Sequence, residues 1–149
     1  MVRLMGNQIG GNMAIKQLSV FLENKQGQLS EAVKTIAEAG IDIRALSIGE
    51  SRDFGILRLI VSDTNKAKAV LGDTICKTTD VIAVKMDDNA GALCEVLKVF
   101  DEAKINVEYS YAFTSKDLGA YVVFRVDDVA TAEKVLLEKG VKLIVKDDI

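Results

Sequence analysis

Two short segments of this 149-residue chain carry residue types at a spacing suited to ligand recognition. They read Asn24-Lys25-Gln26-Gly27-Gln28-Leu29 and Asp88-Asn89-Ala90-Gly91-Ala92-Leu93, and both fit the pattern [N/D]-x-x-G-x-L. Glycine lets a backbone come close to a bound molecule. A helical pattern follows each segment. The free N–H groups and positive dipole end at a helix start favour an anion such as a carboxylate. The Asn or Asp three places earlier can accept a hydrogen bond from an ammonium group. Together they offer both halves of a zwitterion a partner. The competing reading is a plain helix start, with Asn24 and Asp88 capping backbone donors.

A second pair of polar residues recurs farther along, in Ile41-Asp42-Ile43 and Ile105-Asn106-Val107. Each polar side chain sits between β-branched neighbours, so in a strand it faces away from them. It is either a binding group or a solvent-facing strand residue.

Other chemistries are excluded by composition. Histidine is absent, which removes Ser-His and Cys-His nucleophile pairs, histidine bases and most zinc sites. No cofactor or metal is expected. Cys76 and Cys94 form no CxxC motif. With no apolar leader of signal-peptide length, they read as reduced thiols of a cytoplasmic protein, each a small buried hydrophobe. The 19 basic and 22 acidic residues give a net charge of −3. No window collects the basic patch that nucleic acid requires. No apolar run approaches the ~18 residues of a membrane span.

The elements that must position these segments come from a repeat. Sliding the chain by 64 places lays 18–63 over 82–127 without a gap. Identities include Gly27/Gly91, Leu29/Leu93, Glu38/Glu102, Gly55/Gly119 and Asp63/Asp127. One residue is then inserted, so that Ala67 pairs with Ala132. The expected organisation is an accessory arm over 1–14, one unit over 15–79 and a second over 80–149.

Each unit reads as strand, helix, two strands, helix, strand. Leu18–Leu22 and Ile82–Met86 are first strands. Leu29, Ala32, Val33, Ile36 and Ala37 make one apolar helical face, repeated by Leu93, Val96, Leu97 and Phe100. Gly40 stops the first helix as a left-handed cap, and Lys104 holds that place in the second. Second strands are expected from Ile41 to Ile48 and from Ile105 to Phe113. Apolar third strands follow from Gly55 and Gly119, and they read as central in their sheets. Asp63-Thr64 and Asp127-Asp128 are N-cap candidates for second helices. Last strands fall near Thr74–Thr78 and Val141–Val145, with Thr79-Asp80 a brief turn between units. The fold class is α+β: two tandem ferredoxin-like βαββαβ units, each an antiparallel sheet with its helices on one face.

The [N/D]-x-x-G-x-L turn, the Ala/Leu/Val-rich helix and the segments Glu38-Ala39-Gly40-Ile41-Asp42-Ile43 and Glu102-Ala103-Lys104-Ile105-Asn106-Val107 resemble the ACT domain. The resemblance covers about 15–145, as two ACT units in tandem. It implies a regulatory module that binds a free amino acid where two units meet, and no enzyme. By motif position, Asn24, Gly27, Gln28 and Leu29 would form one binding turn, and Asp88, Gly91, Ala92 and Leu93 the other. Asp42 and Asn106 would be facing strand residues, the first turn with Asn106 and the second with Asp42. Many family members carry Pro before the Gly, where this chain has Gln26 and Ala90. Glu108, Tyr109 and Tyr111 surround Asn106, while Arg44, Ala45 and Ser47 surround Asp42. The former set suits a polar, aromatic or cationic amino acid such as histidine, or the two tyrosines serve only to pack. Exposed sheet edges make a homodimer or a regulated protein the expected macromolecular partner. A structural adaptor without ligand is the alternative. An acylphosphatase-like enzyme would need an Arg in the first turn, and neither turn has one.

Overall fold

A computed structural model describes residues 14–145 and 148–149. Apart from Ala14, the arm expected over 1–14 lies outside the described residues. The described chain divides into two compact units, with the boundary between Asp80 and Val81.

The first unit contains β1 (Ile15–Glu23), α1 (Gln28–Glu38), β2 (Ile43–Glu50), β3 (Phe54–Val61), α2 (Thr64–Val70) and the start of β4 (Cys76–Lys85). Its sheet runs β2-β3-β1-β4. β3 is central, as its apolar run predicts, and pairs antiparallel with both β1 and β2. Leu18, Val20 and Leu22 of β1 point to the same face as Leu57, Leu59 and Val61 of β3. There they meet Ala32 and Ile36 of α1 and Ala67 of α2. Each Leu or Ile buried in this layer contributes about 1.5–3 kcal/mol.

The second unit repeats the plan with the rest of β4, α3 (Ala92–Glu102), β5 (Val107–Ser115), β6 (Gly119–Val126), α4 (Val129–Glu138) and β7 (Leu143–Ile144). β4 pairs with β6 and β7, and β5 pairs with β6. Its core gathers Ile82, Val84, Val96, Phe100, Phe124, Val126 and Leu136. Both units thus have the ferredoxin-like order, with helices on one face.

Two expectations need correction. Thr79-Asp80 is not a turn, because the chain runs through it as the unbroken strand Cys76–Lys85. Thr78-Thr79-Asp80-Val81-Ile82 contains no Gly to turn on, and its β-branched residues favour extension. The repeat also shifts earlier than a gapless alignment implies. In the first hairpin only Arg52-Asp53 separate Ser51 from Phe54, whose N–H and carbonyl bond at 2.8 Å. In the second, Lys116-Asp117-Leu118 separate the paired Ser115 and Gly119. The extra residue lies in that turn. Leu57, Leu59 and Val61 therefore match Val122, Phe124 and Val126, and the N-cap Asp63 matches Asp128. A one-residue slip reverses the faces of a strand, so only this register keeps both cores apolar.

The helix ends show what the duplication has kept. Gly40 takes φ 72°, its N–H bonding the Ala37 carbonyl at 3.0 Å, and Ile41 N–H bonds the Ile36 carbonyl at 3.3 Å. Lys104 occupies the same place at φ 58°, with the matching bonds to Asp101 and Phe100. It is the one non-glycine residue at positive φ among those described. A side chain there costs about 1–2 kcal/mol, partly offset by glycine's larger unfolded-state entropy. Lys104→Gly is therefore expected to stabilise the second unit by about 0.5–1 kcal/mol in a urea melt, and a destabilisation would refute the strain.

Candidate functional site

The two turns proposed for ligand binding have the same local structure. Gly27 and Gly91 are the N-cap residues of α1 and α3, at φ 90° and 92°. The left-handed backbone is why glycine stands there; a Cβ at either would meet nothing within 4 Å. The turn is closed by weak bonds from Gln28 N–H to the Lys25 carbonyl (3.3 Å) and from Ala92 N–H to the Asn89 carbonyl (3.4 Å).

Asn24 and Asp88 do not cap these helices, since neither α1 nor α3 has a side-chain cap. That removes the simple helix-start reading. The other two helices are capped. Asp63 accepts from Lys66 N–H at 3.0 Å, and Asp128 from Thr131 N–H at 3.0 Å and Thr131 Oγ1 at 2.7 Å. Those bonds to Thr131 hold the Asp128 carboxyl below its usual range. Among the described residues, the N–H groups of Leu29 and Ser30, and of Leu93 and Cys94, meet no acceptor.

Leu29 and Leu93 open the apolar faces of their helices but are 39% and 45% exposed. The buried stripe begins one turn later, at Ala32 and Val96. Each turn therefore presents two free donors beside an uncovered leucine. Asn24, Asp88, Gly27 and Gly91 are exposed, whereas Gln28 and Ala92 are half-buried.

The turns differ in charge. Lys25 pairs with Glu23 at 2.8 Å, and their mutual hydrogen bond and attraction lower the Glu23 pKa and raise that of Lys25. The second turn has Asp87 and Asp88, and Asn89 stands where the first turn has Lys25. Beside it a cavity of about 330 Å³ lies against α3 and the chain leading into β7. Its walls include Lys85, Met86, Asp87, Asn89, Glu95 and Lys142. Of the site residues predicted from sequence only Ala92 lines it. Lys85 and Lys142 carried no motif to mark them, because the pairing of β4 with the chain leading into β7 brings them together from distant segments.

Asp42 and Asn106 stand immediately before β2 and β5, and both strands start two residues later than expected from sequence. Their main chains are tied down. Asp42 N–H bonds Ser62 Oγ at 3.0 Å, and Asn106 N–H bonds Asp127 Oδ1 at 3.1 Å. The Asp42 carboxylate is exposed and lies 3.5 Å from Arg44. Within its own unit Asp42 follows the far end of α1 from Gly27. That 11-residue helix separates them by about 16 Å. The same holds for Asn106 and Gly91 across α3. No unit brings its own turn and its own strand-start residue together.

The two cysteines are free thiols. Cys76 is half-buried, and desolvation raises its pKa. Cys94 is exposed in the first turn of α3, so the expectation of two buried cysteines fails there. The alignment pairs it with Ser30, a surface position. Among the described residues no helix is long and apolar enough to cross a membrane, and no cluster of ligating side chains could hold a metal.

No curated protein matches this chain. Among solved structures, it is similar to protein BT0572 from Bacteroides thetaiotaomicron. The identity is 40%, over 91% of this chain and 95% of that one, with a TM-score of 0.85. The fold also matches the ligand-free regulatory subunit of aspartate kinase from Thermus thermophilus. There the TM-score is 0.62 at 12% identity, over 88% of this chain and 98% of the other. The corresponding Thermus flavus subunit gives a TM-score of 0.59 at 14% identity, over 84% and 90%. The family model of the ACT domain pair matches residues 13–149. The duplicated βαββαβ units and paired glycine turns are thus those of the ACT domain pair, the family to which this chain belongs.

Proposed function

We propose that this ACT domain pair is a regulatory module that binds a free amino acid at its glycine turns, and not an enzyme. One observation carries the reading: the helices that follow the glycine turns are uncapped in both units, while the other two helices are capped by aspartate. A cap contributes about 1 kcal/mol. Its absence from both copies of one position leaves donors free for a ligand carboxylate. Asn24 or Asp88 receives the ammonium group, and Leu29 or Leu93 covers apolar atoms of the side chain. Asn106 completes the first site and Asp42 the second, each offered by a facing unit. At the first site, Glu108, Tyr109 and Tyr111 near Asn106 favour a polar, aromatic or cationic amino acid. Binding regulates only through unequal affinity for two arrangements of the protein. A second copy of the chain is its proposed partner, with the cytoplasm as its location.

The test is a thermal melt of the full chain against each of the twenty amino acids at millimolar concentration. A ligand present at about 100 times its Kd adds roughly 2.7 kcal/mol. One amino acid is expected to raise the melting temperature clearly, with the shift lost on Asp42→Ala or Asn106→Ala. No response to any of the twenty would sink the reading and leave a structural adaptor.

A further inference from the structure

We propose that the cavity beside α3 is a separate small-molecule site, built wholly within the second unit. It takes a small carboxylate that bears an amino or hydroxyl group on the neighbouring carbon. This goes beyond the glycine-turn reading and does not rest on it, because no facing unit supplies a wall.

The walls carry charge of both signs. Lys85 ends β4, and Lys142 leads into β7. Lys85 N–H bonds the Lys142 carbonyl at 2.9 Å, one step beyond the pair Val84 and Leu143. The two lysines therefore stand opposite each other on neighbouring chains, where like charges repel. Among the described residues neither has a carboxylate partner, whereas Lys25, Lys34, Lys98 and Lys139 each have one. The first unit makes the matching bond from Phe21 N–H to the Ile75 carbonyl, and both residues there are apolar. The fold thus does not require charge at these two places. An anion set between the two ammonium groups would turn their repulsion into attraction.

Other walls supply the opposite sign. Asp87 enters the glycine turn, and Glu95 stands in the first turn of α3. Glu95 holds Lys98 at 3.2 Å through one oxygen, and Asp87 has no basic partner among the described residues. A bare anion in this cavity would meet two carboxylates, and a bare cation two ammonium groups. A ligand with an anionic end and a donor end suits both. Met86, Val96 and Val141 add apolar surface. Gly140 lines the cavity at φ 74°, so the chain turns there without a side chain to fill the space. The volume of about 330 Å³ lies near the lower bound of small-molecule sites, which sets the ligand at the size of a small metabolite.

Amide chemical shifts of the isotope-labelled full chain test this, with L-serine, L-lactate and acetate as probes. Serine or lactate, or both, is expected to shift the Gly140 and Ala92 resonances saturably, with a Kd of about 1 mM. Which of the two binds tells an amino group from a hydroxyl. Acetate has the carboxylate alone and should bind at least about tenfold more weakly. Lys85→Ala/Lys142→Ala is expected to lose the shifts and keep its circular dichroism spectrum, since both side chains are exposed. Asp87→Asn should raise the Kd about tenfold by removing a charged acceptor. Asp42→Ala and Asn106→Ala should leave these shifts as they are. Silence of Gly140 and Ala92 to both serine and lactate overturns the inference. So do shifts that survive the two alanines, or acetate that binds as tightly as the better probe. The amino-acid melt depends on Asp42 and Asn106, and this titration on Lys85 and Lys142, so the two readings fail separately.

Discussion

Phe100→Ala is expected to destabilise the second unit by about 3–5 kcal/mol, the largest effect of any single side chain considered for this protein. Phe100 is 1% exposed and stacks edge-on against Phe124, with ring centroids 5.2 Å apart and planes at 78°. Truncation removes the transfer term of a phenyl ring and that contact, and it leaves a cavity between α3 and β6. The neighbours cannot close it easily, because Val96, Val126 and Leu136 are anchored on three different elements. The first unit carries Ile36 at the equivalent place, with Leu59 in the role of Phe124. The loss should therefore fall on amide protons of the second unit, and native-state hydrogen exchange reads it directly. Phe100→Leu, which keeps most of the volume, should lose much less. Equal losses for Ala and Leu would mean that the aromatic pair is not what fills this core.

The second large effect falls on Gly91. Gly91→Val is expected to cost about 2 kcal/mol and to abolish any ligand response of the second turn. The cost is conformational: at φ 92° the pocket around a Cβ is empty, so no neighbour is displaced. A β-branched residue is the least tolerant of that region. Gly91→Asn should cost less, because Asn visits left-handed backbone more readily. If the substituted valine relaxed to negative φ, the Leu93 and Cys94 N–H groups would turn away from the ligand. A variant that melts lower yet keeps its full amino-acid shift would separate the turn from binding. Gly27→Val applies the same test to the first turn and leaves the second intact.

Much of this was legible in the residues. The apolar spacing of Ala32, Val33 and Ile36, the cap at Gly40, the N-cap at Asp63 and the central position of β3 all followed from local pattern. Local chemistry decides those features, and nothing distant overrides it. The turn glycines were legible as special, but as room for a ligand, whereas the structure gives a second reason in their positive φ. Three features were hidden. The extra residue in the second hairpin was misplaced because Gly55 and Gly119 are identical by letter, while hairpin pairing sets Gly55 opposite Glu50 and Gly119 opposite Ser115, which the gapless alignment matches to Ser51. The cavity beside α3 draws Lys85 and Lys142 from segments far apart in sequence. The exposure of Leu29 and Leu93 depends on tertiary packing, which begins one turn later at Ala32 and Val96 and which a helical period does not encode.

The unbroken strand Cys76–Lys85 limits how this duplication can evolve. Cys76 faces the first core, and Ile82 and Val84 face the second, all at even-numbered positions. A one-residue insertion or deletion between them would turn one set outward, since side chains alternate along a strand. The hairpin loops have already absorbed a change in length, but this junction admits none. Homologues that share the strand should therefore vary in length at residues 51–53 and 116–118 and hold the spacing from Cys76 to Val84 constant.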